Sequence, residues 1–176
     1  PGFIDGWFEV KKDEKTISPD DHWNKKIKAD YRAKDDLKMK EKDVKALREL
    51  GLTAVHIVPE EGIFKGKSDL VILDNNFTSY KKDVAQIIEF KATGWSDRSY
   101  PNSLLGVIAV IRQTLLDANW YQKSTQIIEK YPEQNTLIPF HPSLSQLADF
   151  QLNRKPMLFM TKEEHEALRA LRIADE

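Results

Sequence analysis

One long amphipathic stretch, residues 103 to about 130, constrains the fold more than any other part of the sequence. Leu104, Ile108, Ile111, Leu115 and Ala118 recur at i, i+4, i+7, i+11 and i+14, which places all five on one face of a long helix. Such a stripe needs an apolar surface to lie on, because isolated helices gain little stability by themselves. Short apolar runs at residues 3–10, 52–58, 70–73, 84–91 and 157–160 have the length and composition of strands. Val44, Leu47 and Leu50 recur at helical spacing ahead of Gly51, a C-terminal stop. Leu144, Leu147, Ala148 and Leu152 suggest a shorter helix, and Thr161-Lys162-Glu163-Glu164 reads as a capping box opening a last one. Strands followed by helices at both ends of the chain argue for βα units and a largely parallel sheet. The runs 70–73 and 84–91 could pair as a hairpin across a long polar connection.

Composition narrows the function classes. The 176 residues are 40% hydrophobic, enough for one domain with a sizeable core, over residues 1–176. Lys and Arg number 27 and Asp and Glu 28, so no net field draws the chain to nucleic acid or an anionic membrane. There is no cysteine, which removes disulfides, thiolate metal sites and cysteine nucleophiles. No apolar run is long enough to span a bilayer. The expectation is a cytoplasmic protein that binds neither nucleic acid nor membrane.

Several motifs invite a chemical reading. Gly62-Ile63-Phe64-Lys65-Gly66-Lys67-Ser68 resembles a phosphate loop, but only three residues separate its glycines. The motif needs four, followed by a helix. Asp69-Leu70-Val71-Ile72-Leu73 continues instead as strand, so the plainer reading is a glycine-kinked turn between strands. The histidines His22, His56, His141 and His165 stand apart, with no His-x-His and no His-Glu-x-x-His, whereas a catalytic zinc site needs about three converging ligands. His56 is the best placed of them, near the C-terminal end of a core strand, where α/β folds bind ligands. The preferred reading is nevertheless a partly buried histidine hydrogen-bonded to backbone, because a ligand needs partners that the sequence does not show. His165 falls in the first turn of a helix and His141 in a loop. Residues 11–48 carry thirteen basic and nine acidic residues around Trp23 and Tyr31. The mixed signs fit a solvated loop better than a phosphate-binding strip. Gly-x-Ser-x-Gly is absent, and the adjacent pairs Asp20-Asp21 and Glu60-Glu61 say nothing about convergence. No catalytic, cofactor-binding or metal-binding residue is assigned, and no cofactor is expected.

Taken together, several segments resemble one family. Pro1-Gly2-Phe3-Ile4-Asp5 resembles the opening of the catalytic barrel in the amidohydrolase superfamily, above all its imidazolonepropionase-like, metal-dependent hydrolases. Leu47-Arg48-Glu49-Leu50-Gly51-Leu52-Thr53-Ala54-Val55, with Pro59, Gly62-Ile63-Phe64 and Gly66-Lys67-Ser68, is similar to their next βα unit and its loop. Tyr100-Pro101-Asn102-Ser103-Leu104-Leu105-Gly106, Ile111-Arg112-Gln113-Thr114 and Asp117-Ala118 resemble a long helix of one branch, and residues 167–176 a helix of a later unit. The resemblance implies an α/β fold: the N-terminal part of a TIM-like barrel, about three βα units with an inserted β-hairpin and a long helix. It also marks a departure. Where the family's metal enzymes place His-x-His after that opening, this chain has Gly6-Trp7-Phe8 and then Glu9, and neither tryptophan nor phenylalanine ligates zinc.

The expectation that follows is a fragment of a larger amidohydrolase-like protein, inactive by itself. A non-catalytic protein-interaction module is the alternative. Three βα units cut from a barrel leave sheet edges and an apolar face uncovered. The expected partner is therefore the remainder of the parent chain or a second copy in a homo-oligomer. The turn reading of residues 62–68 carries its own test. Millimolar ATP should leave the melting temperature unchanged, since only a ligand of the native state stabilises it. A rise abolished by Lys67→Ala would restore the phosphate loop.

Overall fold

Residues 64–72 hold the two sheets of this protein together. The computed structural model describes residues 8–10, 22–92, 99–134 and 138–176. The first part of the strand expected from Phe3, with Gly6 and Trp7, lies outside them, as does the Asp20-Asp21 pair. In chain order the elements are β1 (Phe8–Val10), a 3-10 turn (Ala33–Asp36), α1 (Glu41–Glu49), β2 (Ala54–Pro59), β3 (Phe64–Lys67), β4 (Asp69–Ile72), β5 (Ser79–Lys81) and β6 (Gln86–Glu89). There follow α2 (Leu104–Lys130), a second 3-10 turn (Pro132–Gln134), α3 (Pro142–Leu152), β7 (Met157–Met160) and α4 (Glu164–Ala174). One sheet has the order β1-β2-β4-β5 and the other β3-β6-β7.

β3 and β4 are halves of nearly one strand, and the chain changes partner between them at Ser68. β3 runs antiparallel to β6, with Phe64 opposite Ile88 and Lys67 opposite Gln86. β4 runs antiparallel to β2, with Ile57 opposite Asp69 and His56 opposite Leu70. Ser68 is fully buried at the crossing. Its N–H donates to the Ala85 carbonyl at 3.0 Å and its carbonyl accepts from Val84 N–H at 2.8 Å. Its hydroxyl lies 3.1 Å from both the N–H and the carbonyl of Ala85. A buried backbone that leaves one ladder must find other partners, and Ser68 supplies them.

The other side of β3 is occupied by residues 26–32. Ile63 N–H donates to Lys26, Lys28 N–H to Phe64 and Lys67 N–H to Tyr31. Gly66 makes this approach possible. Its φ is +120°, and a Cβ there would lie 2.4 Å from the Tyr31 carbonyl oxygen, a region and a space open only to glycine. The buried Gln86 closes the ribbon. With its amide oriented so that both ends are satisfied, its nitrogen donates to the Ala29 carbonyl at 3.2 Å and its oxygen accepts from Gly66 N–H at 3.3 Å.

The helices lie on the outer faces. Ile88 and Phe64 pack with Val107, Val110 and Ile111 of α2, Leu147 of α3 and Ile173 of α4. Val55, Ile57 and Val71 pack against Val44 of α1 and Ala33. A third cluster, Val58, Ala85 and Ile87 with Leu158 and Met160, fills the space between the sheets. Each such aliphatic side chain stabilises the fold by about 1.5–3 kcal/mol relative to exposure. The long helix forms where its periodicity places it, and the Ser103 hydroxyl accepts from Gly106 N–H at 3.2 Å as its N-cap. Its buried face is turned slightly from the expected stripe. Val107, Val110, Ile111, Thr114, Ala118 and Tyr121 are buried, while Leu104, Ile108 and Leu115 are half-buried beside them.

Four expectations need correction. The sheets are mixed rather than largely parallel: β1–β2 and β6–β7 are parallel, and β2–β4, β4–β5 and β3–β6 antiparallel. The hairpin pairs β4 with β5, not residues 70–73 with 84–91. Asp74 turns the chain early by accepting from the N–H groups of Asn76 and Thr78. Residues 62–68 hold a strand as well as a turn. Finally, the Thr161 box does not form. α4 has Glu163 at its N-cap, and Glu166 accepts from Lys162 N–H at 2.7 Å. Leu152 is exposed at the end of α3. Among the described residues no helix is long and apolar enough to cross a membrane.

Gly66→Ala should therefore cost more than about 3 kcal/mol, because the clash is with backbone that other hydrogen bonds hold in place. Gly51→Ala, with φ +85° and nothing within 4 Å, should cost only about 1–2 kcal/mol of left-handed strain. Urea unfolding of the two variants checks the difference, and equal losses would contradict the close approach.

Candidate functional site

β6 and β7 run in parallel register, so their C-terminal residues, Glu89 and Met160, stand side by side. Side chains alternate along a strand. Ile87 faces the cluster between the sheets, and Glu89, two residues on, shares its face. A lysine reaches it from β3. The register shifts between Phe64 and Gly66, and this bulge leaves Lys65 as the extra residue of its strand. Its Nζ lies 2.8 Å from Glu89 Oε2 and 3.6 Å from Met160 Sδ. Lys162 approaches the other carboxylate oxygen at 3.4 Å. Lys65 is only 1% exposed.

Burial alone would push the Glu89 carboxyl up. The hydrogen bond and charge of Lys65, with Lys162 and Lys91 behind it, outweigh that effect and hold it below the usual carboxylate range. Glu89 is thus ionised at neutral pH and already engaged by two ammonium groups. It is suited to fixing the Lys65 amine at a strand end rather than to shuttling protons as a general base. Removing one member of such a pair costs about 3–5 kcal/mol, since the other charge stays buried.

His56 lies on the same side of β2 as Val58, towards the space between the sheets. Its Nε2 is buried and has no hydrogen-bond partner among the described residues. Burial pushes its pKa down, and the opposing influence of Asp69 is smaller. The imidazole is therefore neutral at neutral pH, with Nε2 left over. On the other face, Asp69 accepts from Asp83 N–H at 2.7 Å and Arg32 pairs with Asp83 at 2.7 Å. Lys67 donates to Gln146 at 2.8 Å, with Asp83 3.8 Å away. The lysine of the would-be phosphate loop is committed to this network, and the chain after Ser68 continues as β4 rather than as a helix.

The remaining histidines are dispersed. His22 is buried, its Nδ1 accepts from Asn24 N–H at 3.1 Å, and burial lowers its pKa. His141 lies in the loop as expected, in an extended conformation directly before α3 and without a capping side-chain bond, and His165 is exposed. Glu61, of the Glu60-Glu61 pair, is bridged to Lys28 at 3.1 Å. Among the described residues no three His, Cys, Asp or Glu side chains come together in a way that could hold a metal ion. The described residues thus do not fit the metal centre that the family resemblance implies. The Lys65–Glu89 pair was not singled out from sequence, although there was a signal for it. Ile87-Ile88-Glu89-Phe90 and Ile63-Phe64-Lys65 each put one charge inside an apolar run, and a charge there must find its opposite.

No protein-family model matches the chain, and no curated protein matches it in sequence. Its fold is similar to the crystal structure of an amidohydrolase from Thermotoga maritima MSB8, with a TM-score of 0.74 and 16% identity over 86% of this chain. The chain spans 42% of that protein. The likeness is one of fold, an amidohydrolase-like mixed α/β architecture with four α-helices and two small sheets among the described residues.

The buried histidines set a pH dependence. His22 and His56 have folded pKa values below 6.5, so the unfolded chain binds more protons in that range. Their contribution to stability is complete above 6.5 and is lost as pH falls through the folded values. Glu89 adds a second loss below 4.5 for the same reason of sign. Denaturation free energy should be flat above about pH 7 and fall towards about pH 5. A His22→Gln, His56→Gln double variant should lose most of that slope, and a flat wild-type profile would contradict neutral burial.

Proposed function

We propose that this chain is one part of an amidohydrolase-like protein, of the metal-dependent class that hydrolyses C–N bonds. In this reading it supplies a TIM-barrel-like wall rather than a complete active site. The observation that carries the reading is the fold likeness over 86% of this chain, which spans 42% of its structural neighbour. Two further features support it. The parallel pairs β1–β2 and β6–β7 carry helices on their outer faces, and Glu89 and Met160 stand at C-terminal strand ends, where barrel enzymes place their chemistry. The inner face of the first sheet is also incompletely covered. Ala54, His56 and Leu70 are half-buried and Ile72 is 38% exposed, a surface for the remainder of the parent chain to close. In this reading the metal ligands also come from that remainder.

Elemental analysis and an amidase assay test the reading. The purified 176-residue chain is expected to retain no stoichiometric zinc or iron and to hydrolyse no amide substrate. Co-expression with the remainder of its parent should raise its melting temperature. One tightly held ion per chain together with hydrolysis by this chain alone would overturn the proposal, and His56→Ala would then locate the first ligand.

A further inference from the structure

Residues 26–32 lie along one side of β3, and the turns that lead the chain there begin, among the described residues, at His22. The His22 Nδ1 accepts from Asn24 N–H at 3.1 Å. Asn24 repeats the pattern two residues on. Its Oδ1 accepts from Lys26 N–H at 3.0 Å and its carbonyl from Ile27 N–H at 2.9 Å. The chain then meets β3, where the Lys26 carbonyl accepts from Ile63 and Lys28 N–H donates to Phe64. Ile27 enters the core beside Phe64, Ile88 and Val107. The Asn24 side chain also donates to the Tyr100 carbonyl at 3.4 Å, ahead of α2. His22 and Asn24 are 6% and 4% exposed, so a bond lost between them leaves polar groups buried.

We propose that His22 is a proton-sensitive latch: while its Nδ1 accepts the Asn24 N–H, residues 22–27 stay seated against β3, and protonation of the ring frees them. The proposal is independent of the amidohydrolase-like reading. A neutral imidazole has one donor nitrogen and one acceptor, whereas the imidazolium has two donors and no acceptor. The bond from Asn24 therefore fixes the proton of the neutral ring on Nε2. A second proton, on Nδ1, sets donor against donor 3.1 Å apart. Either the ring or the Asn24 N–H must then turn away, and either motion undoes the first turn.

The surroundings give the sign. Burial most strongly disfavours the charged ring, the Asn24 backbone and the Asp117 carboxylate of α2 favour it, and the His141 ring ahead of α3 disfavours it. Of the two backbone groups of Asn24 only the carbonyl can stabilise a charged ring, and the N–H at Nδ1 stabilises the neutral one. That carbonyl already accepts from Ile27, so a charged ring turning to it competes with the second turn as well. The folded ring titrates below 6.5. The latch is thus closed above that pH and opens as pH falls through the folded value.

Amide exchange of the full chain, followed by NMR at about pH 7.5 and about pH 5.5 and corrected for the intrinsic rate, tests the latch. The Asn24 and Ile27 amides should lose about tenfold in protection, the equivalent of one pKa unit, with a midpoint that coincides with titration of the His22 ring. Gln86 N–H, which donates to the Pro156 carbonyl at 3.0 Å, should keep its protection, which separates local release from global unfolding. At the higher pH the ring should show the Nε2–H tautomer. His22→Asn supplies a non-titrating acceptor at the spacing that Asn24 uses for Lys26, and should make protection of Asn24 independent of pH. His141→Gln should raise the His22 midpoint and Asp117→Asn lower it, which tests the latch even if His22→Asn does not fold. Unchanged protection at Asn24, an equal loss at Gln86, an Nδ1–H tautomer, or the same pH dependence in His22→Asn would overturn the proposal.

Discussion

The crossing at Ser68 is the contact on which the rest of the structure depends. A strand can change sheets only if the residue at the change finds hydrogen-bond partners outside either regular ladder, because a buried peptide group left unpaired costs about 1–3 kcal/mol. Ser68 meets that demand with both backbone groups and its hydroxyl, all directed to Val84 and Ala85. Two short sheets that would be marginal separately become one unit with a shared cluster of Val58, Ala85 and Ile87 between them. Gly66, two residues earlier, lets residues 26–32 lie along the other side of the same strand. A segment dense in charge is thereby held in place by backbone bonds rather than by a core of its own.

The same strand brings charge inside. Lys65, Lys67 and Asp69 are all buried, and each is answered from another element: Glu89 from β6, Gln146 from α3, and Asp83 with Arg32 from the two flanking loops. Buried ion pairs contribute little net stability compared with apolar packing, but breaking one is expensive. These pairs therefore act more as a check on register than as a source of stability. A slip of β3 by one residue would turn Lys65 and Lys67 to the opposite face and strand both. The geometry that fixes Lys65 against Glu89 at the strand ends is thus a consequence of how the sheets are joined.

The molecule presents two apolar surfaces of different character. The inner sheet face around His56 and Ile72 is partly covered. The outer side of α2 carries exposed Leu105, Leu116, Trp120 and Ile127, interrupted by Arg112 and Lys123.

Local physics was legible in the sequence. The period of residues 103–130, Gly51 after α1 and the apolar run of β7 each report a preference that neighbours within one or two turns decide. The failed phosphate-loop spacing and the scattered histidines were equally legible, because those motifs demand residues at fixed separations. The family resemblance conveyed the α/β architecture that the structural likeness supports at the level of fold. Strand pairing was not legible. β3 looked like a turn because Gly62 precedes it and Gly66 lies within it, and its partners lie about twenty residues onward in β6 and thirty-odd residues back, a separation on which no local propensity reports. The pairing of Lys65 with Glu89, the burial of Asp69 and the orphaned Nε2 of His56 were decided only when the chain crossed sheets at Ser68. Until then no residue could know which charge would stand opposite it.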